Sequence, residues 1–102
     1  MNEDTKVLKE KYGPLFDTVS AALFAADPMH INFEDNTDEY DPEAGSILAR
    51  LDEASTVEQA TAIVHEEFCR LFTESVAGPQ EKYSAVTAQI WDAWRGYKSG
   101  TA

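Results

Sequence analysis

Four prolines, Pro14, Pro28, Pro42 and Pro79, divide this chain into stretches whose apolar residues recur at helical spacing. From residue 4 to 26, Leu8, Tyr12, Leu15, Phe16, Val19 and Leu23 return every three or four positions, the period of a helix with one buried face. Pro14 lacks an N–H and its ring clashes with the preceding turn, so Gly13-Pro14 predicts a kink or a short first helix with a second starting at Pro14. Ala25-Ala26-Asp27-Pro28 closes the element, because the residue before a proline is pushed out of the helical region. Asp41-Pro42-Glu43 reads as a helix start, with Asp41 as cap, Pro42 at the first position and Glu43 at the positive end of the dipole. Ala44, Ile47, Leu48 and Leu51 give that helix its apolar face, ending near Ala54. Ser55-Thr56-Val57-Glu58 has capping-box spacing and opens a longer helix with Val57, Ala60, Ile63, Val64, Phe68, Leu71 and Phe72 inward. Gly78-Pro79 ends it and begins the last helix, where Tyr83, Val86, Ile90, Trp94 and Tyr97 repeat; Gly96 and Gly100 mark a fraying tail. Between Pro28 and Pro42, Met29, Ile31 and Phe33 alternate with His30 and Asn32, the period of an extended leg with one face covered. The expected fold is all-α: a single domain over residues 1–102, a small four-helix bundle, five helices with the break at Gly13-Pro14, and an extended acidic loop from Asp27 to Tyr40.

Composition narrows the function classes. At 102 residues the chain makes one domain, and 43% hydrophobic residues suffice for a modest core. A single cysteine, Cys69, closes no disulfide within the chain and builds no multi-cysteine zinc site. No window approaches the roughly 18 apolar residues of a membrane span, and Met1-Asn2-Glu3-Asp4 does not open a signal peptide, so a cytoplasmic protein is expected. The formal charge is -11, and residues 27 to 44 hold seven acids and no Lys or Arg. Glu34, Asp35, Asp38, Glu39, Asp41 and Glu43 lie within ten consecutive residues. Direct nucleic-acid binding is disfavoured, since it depends on neutralising phosphates with Lys and Arg. A basic protein, or a cation, is the better partner; the plainer reading of the run is a solvated loop.

The catalytic inventory is thin. His65-Glu66-Glu67-Phe68-Cys69 resembles the helical zinc pattern of two ligands four apart, with Cys69 in place of the second histidine, but a catalytic zinc needs a third protein ligand. Both residues border the Val64 and Phe68 stripe, which fits partly buried structural positions. Asn32, Glu34, Asn36, Asp38 and Glu43 thread a calcium loop, yet Thr37 stands where the sharp turn normally takes glycine. No serine sits in a nucleophile elbow and no glycine-rich phosphate loop is present. The chain therefore reads as a non-enzyme with no cofactor and no metal. On the C-terminal helix Trp94 belongs to the core, while Trp91 is rotated about 100° from Ile90 towards its rim. Exposed with Phe24 or Tyr97, Trp91 is a natural contact for a partner or for a homodimer.

Asp27-Pro28, an extended apolar segment and Asp38-Glu39-Tyr40-Asp41-Pro42-Glu43 together resemble a family of small uncharacterised bacterial helical proteins, over roughly residues 27 to 72 and the terminal aromatic helix. Where that family places small apolar residues after Asp-Pro, this chain has Met29-His30. The resemblance implies the helical fold and no activity; small acidic bacterial proteins of this kind look like some immunity proteins, which neutralise a toxin by covering its basic cleft. The sequence points to a cytoplasmic binding domain, an inhibitor or immunity protein in its sharpest form, presenting Glu34, Asp35, Asp38, Glu39 and Asp41 to a basic protein with Tyr40 as aromatic anchor. Its rival is a structural or self-associating protein that makes contact through Trp91. A small metal-dependent enzyme using His65 and Cys69 ranks last.

Overall fold

Pro14 breaks the first helical stretch in the way its chemistry demands. In the computed structural model, which describes residues 3–27 and 40–100 and the side chains of 6–27 and 40–99, α1 (Glu3–Tyr12) stops one residue before α2 (Pro14–Ala26). Gly13 joins them at φ 55°, ψ −126°, the mirror image of ordinary extended backbone and a region that a Cβ makes costly. Its N–H donates to the Lys9 carbonyl at 2.9 Å and its carbonyl accepts from Phe16 N at 3.0 Å. A Cβ at Gly13 would meet nothing within 4 Å, so the cost of Gly13→Ala is backbone strain alone. We expect a loss of about 2 kcal/mol, read as a lower urea midpoint at unchanged slope; an unshifted midpoint contradicts the assigned turn.

The helix α3 (Asp41–Leu48) begins where the sequence indicates, with Pro42 in its first turn. Its cap differs from expectation. Tyr40 holds the N-cap position without a side-chain capping bond, and Asp41 is the first helical residue, because its carboxylate is engaged by α1 and α2 instead. The chain then tightens into a single 3-10 turn, η1 (Leu51–Glu53), that continues the apolar face to buried Leu51. In α4 (Val57–Leu71) the expected box slides by one residue: the Thr56 hydroxyl accepts from Gln59 N at 3.2 Å, and the Gln59 side chain accepts from Ser55 N at 2.7 Å. Ala60, Ile63, Val64 and Phe68 are buried as the stripe predicts, joined by Thr61 and Glu67. Leu71 is 37% exposed, since the helix ends there and Phe72 turns the chain away at φ −116°, ψ −92°.

Sequence periodicity missed the next element, α5 (Glu74–Ala77), a single turn capped by the Thr73 hydroxyl accepting from Val76 N at 3.1 Å. Gly78, at φ 78°, leads through Pro79 into η2 (Gln80–Tyr83) and α6 (Ser84–Gly100). Helix α6 runs through Gly96 to Gly100, the positions expected to mark its fraying tail.

The fold is all-α, with six α-helices and no strand among the described residues; the Met29–Phe33 alternation lies outside them. Helix α6 packs on α2 and α4, and α3 fills the space between α1, α2 and α4. Phe16, Leu23, Ile47, Leu48, Val64 and Phe68 are fully enclosed where these helices meet. No helix of the described residues is long and apolar enough to cross a membrane.

Candidate functional site

The stems of the acidic segment are built from two residues that look polar in sequence. Asp27 leaves α2 in the left-handed conformation, φ 46°, ψ 56°, a strained state for a residue with a Cβ. Its Oδ1 accepts the Tyr40 hydroxyl at 2.7 Å, so the two residues flanking 28–39 are hydrogen-bonded to one another. The Tyr40 ring is fully buried, 6.2 Å from the Phe68 ring centre. Asp41 is buried too: Oδ2 pairs with Lys9 Nζ of α1 at 2.9 Å and Oδ1 accepts the Ser20 hydroxyl of α2. Tyr40 and Asp41, expected as contact residues, are therefore internal ones. The helix they start packs into the core, and its entry must bury one aromatic and neutralise one carboxylate. Glu34, Asp35, Asp38 and Glu39, with most of the calcium-loop threading, lie outside the described residues; Glu43 is buried on α3.

A third buried carboxylate lies outside the acidic segment. Glu67 of α4 is 4% exposed. Its Oε1 accepts from the Ser46 hydroxyl and from Arg70 at 2.6 and 3.1 Å, and its Oε2 accepts from Arg50 Nη1 at 2.9 Å. Arg50 also reaches Glu66 at 3.0 Å and Glu53 at 3.3 Å. Burial alone disfavours the charged form, but hydrogen bonds from Arg70, Ser46 and Arg50 outweigh it and hold the carboxyl below the usual glutamate range. The hydrogen bonds to Glu53 and Glu67 push the Arg50 guanidinium the other way, upwards. With its oxygens so committed, Glu67 ties α3 to α4 and has no acceptor directed at a substrate. The signal was available: Glu67 follows Val64 by three and Ile63 by four, on the inward stripe.

His65 and Cys69 do come together, with Sγ 3.4 Å from Nε2. The same nitrogen lies 2.8 Å from the Gly78 carbonyl oxygen, a contact that requires the proton on Nε2. A nitrogen donating to a carbonyl does not accept a proton from a thiol, so this pair is not arranged as nucleophile and base. The imidazole lies against the Tyr83 ring at 5.8 Å. The Tyr83 hydroxyl donates to the Ala77 carbonyl, and burial pushes its pKa up to about 12. These contacts lash the α5 turn to α4 and η2. No group of three or more His, Cys, Asp and Glu among the described residues is placed to hold a metal ion.

Trp94 is in the core at 5% exposure, and its ring stacks with Tyr97 at 6.0 Å. Trp91 is half-buried, packed on the core edge beside a shallow recess shared with Asp92, Arg95 and Gly96. Phe24 and Tyr97 are half-buried rather than open. Across the described surface most cations already have partners. Lys9, Arg50, Arg70 and Lys98 are in ion pairs, and Lys11 and Lys82 lie over the rings of Tyr12 and Tyr83 at 5.2 and 5.9 Å. Glu10, Asp17, Glu58, Glu74, Glu81 and Asp92 are exposed and outside every ion pair among the described residues. Comparison with protein-family models, with curated proteins and with solved structures finds no match to this chain.

Proposed function

We propose that the chain is a small acidic protein-binding domain that engages a basic surface of another protein, with an inhibitor or immunity role in the cytoplasm as its sharpest form. The observation that carries this reading is the destination of the cations. Lys9, Arg50, Arg70 and Lys98 pair with internal or local acids, which leaves Lys6, Lys11, Lys82 and Arg95 against the rest of the acids and a formal charge of -11. Glu34, Asp35, Asp38 and Glu39 are the contacts of this reading, and the Tyr40–Asp27 hydrogen bond holds together the ends of the segment that carries them. Opposite charge across the contact speeds encounter and selects the partner.

The test is capture from lysate of the cells that make the protein, eluted by a salt gradient, with wild type beside an Asp35→Lys, Asp38→Lys, Glu39→Lys triple variant. Wild type should retain a basic protein that leaves as salt rises. The triple variant should bind it at least about tenfold more weakly while keeping its helical circular dichroism. Equal capture by both proteins would remove the acidic segment from the contact.

A further inference from the structure

The apolar stripe of the first two helices keeps one helical phase across the break between them. At about 100° per residue, Leu8, Tyr12, Leu15, Phe16, Val19 and Leu23 fall within a sector of about 100°. Two helices separated by a break need no common phase, since each turns its own face inward, yet this chain breaks at Gly13 and keeps it. The pattern fits a second arrangement, in which α1 leaves its own body and runs on from α2 with the stripe continuous. Pro14 allows that extension with a kink, because its ring crowds the Glu10 carbonyl and it has no N–H.

The seat that α1 occupies is well defined, and its link to that seat is one residue long. Leu8 lies over Gly45 of α3, where a Cβ would stand 3.2 Å from Leu8 Cδ1, which accounts for a glycine inside a helix. Lys9 Nζ pairs with Asp41 at 2.9 Å. The Tyr12 hydroxyl donates to the Leu48 carbonyl at 3.3 Å, and its ring lies against Trp94 and Tyr97 at 6.2 and 5.8 Å. Closure of α1 onto its own body depends on Gly13 at φ 55°, ψ −126°, backbone that a residue with a Cβ avoids; the seat itself does not depend on it. Of residues 6–12, Tyr12 is buried, Leu8 and Lys9 are half-buried and the rest are exposed, so lifting α1 uncovers far less apolar surface than unfolding does.

We infer that α1 is exchanged between two copies of this chain: the closed monomer is in equilibrium with a dimer in which α1 of each copy fills the seat on the other. The exchange needs no new complementary surface, because every contact of the closed form is made again, twice, between copies. A second copy is the occupant that carries Leu8, Lys9 and Tyr12 at the spacing the seat takes. The balance lies with the hinge, the entropy of joining two molecules and the repulsion of their net charges, and the hinge is the part that a single substitution tunes. The inference stands apart from the proposed basic partner, because it uses none of Glu34, Asp35, Asp38 and Glu39.

A pair of charge variants gives the test, in about 0.15 M salt where screening over about 8 Å limits repulsion between the net charges. Lys9→Glu and Asp41→Lys each set like charges across the seat, in the closed chain and in a dimer of that variant with itself. Only in a mixed dimer with α1 exchanged does each altered charge meet one of opposite sign. Refolded together from urea in equal amounts, the two variants should sediment as a dimer holding one chain of each and melt above either alone, including where Asp41→Lys by itself fails to fold. Gly13→Ala leaves the seat intact and burdens the closed turn alone, so it should form dimer at concentrations at least about tenfold lower than wild type. A mixture that stays monomeric or melts no higher than its components, or a Gly13→Ala chain that associates no more than wild type, overturns the proposal.

Discussion

Phe68→Ala should lower the free energy of unfolding by about 3–5 kcal/mol. The ring is fully enclosed and sits where α4 meets η2 and the start of α3. It lies 5.0 Å from Tyr83 and 5.8 Å from Phe72, both nearly parallel to it, and 6.2 Å from Tyr40 at the start of α3. Truncation removes the aromatic contacts and leaves a void that the Tyr40 and Tyr83 rings cannot simply collapse into, since their hydroxyls are tied to Asp27 and Ala77. A domain of this size is stable by roughly 5–15 kcal/mol, so the variant should sit near the edge of folding at 37 °C. Urea unfolding followed by circular dichroism reads the loss, with Leu71→Ala as the control: Leu71 is on the same helix but 37% exposed and should cost much less. A loss below about 1 kcal/mol in Phe68→Ala would mean that the aromatic cluster is not packed as described.

The elements legible in the sequence are those long enough to show a period. Ile63, Val64 and Phe68 in α4, and Val86, Ile90 and Trp94 in α6, repeat over several turns, and each of these residues is buried. Helix α5 has four residues, too few for any period, and its only local mark is Thr73 three positions before Val76. The buried acids were illegible for another reason. An Asp or Glu is expected outward, and what allows Asp41 and Glu67 to turn inward is a donor remote in sequence: Lys9 and Ser20 for the first, Ser46 and Arg50 for the second. Tyr40 was hidden by its neighbours, one aromatic inside a run of carboxylates. The site is less legible than the fold: the size of Trp91 marks it as a contact in the sequence, but how much of its ring the core edge covers depends on how α6 packs against the other helices.

Glu67 offers the sharpest pH test. Glu67→Ala removes the acceptor shared by Ser46, Arg50 and Arg70 and should cost about 2–4 kcal/mol at pH 7. That is less than the loss of a fully buried ion pair, because the Arg50 and Arg70 side chains, at 30% and 61% exposure, can turn to water. The sign of the pH dependence follows from the carboxyl being held below its usual range. In the unfolded chain Glu67 titrates near 4.3, and the folded protein keeps it charged to lower pH. The folded state therefore gains from the charge above the unfolded pKa, and loses that gain as pH falls through the folded one. Wild type should thus lose stability in acid faster than Glu67→Ala, and the gap between them should narrow from pH 5 downward. Glu67→Gln should fall between the two at neutral pH, since it retains an oxygen for the arginine donors without the charge. Unfolding curves for the three proteins at a series of pH values decide the point: a gap that stays constant into acid would show that the residue acts by its volume and not by its charge.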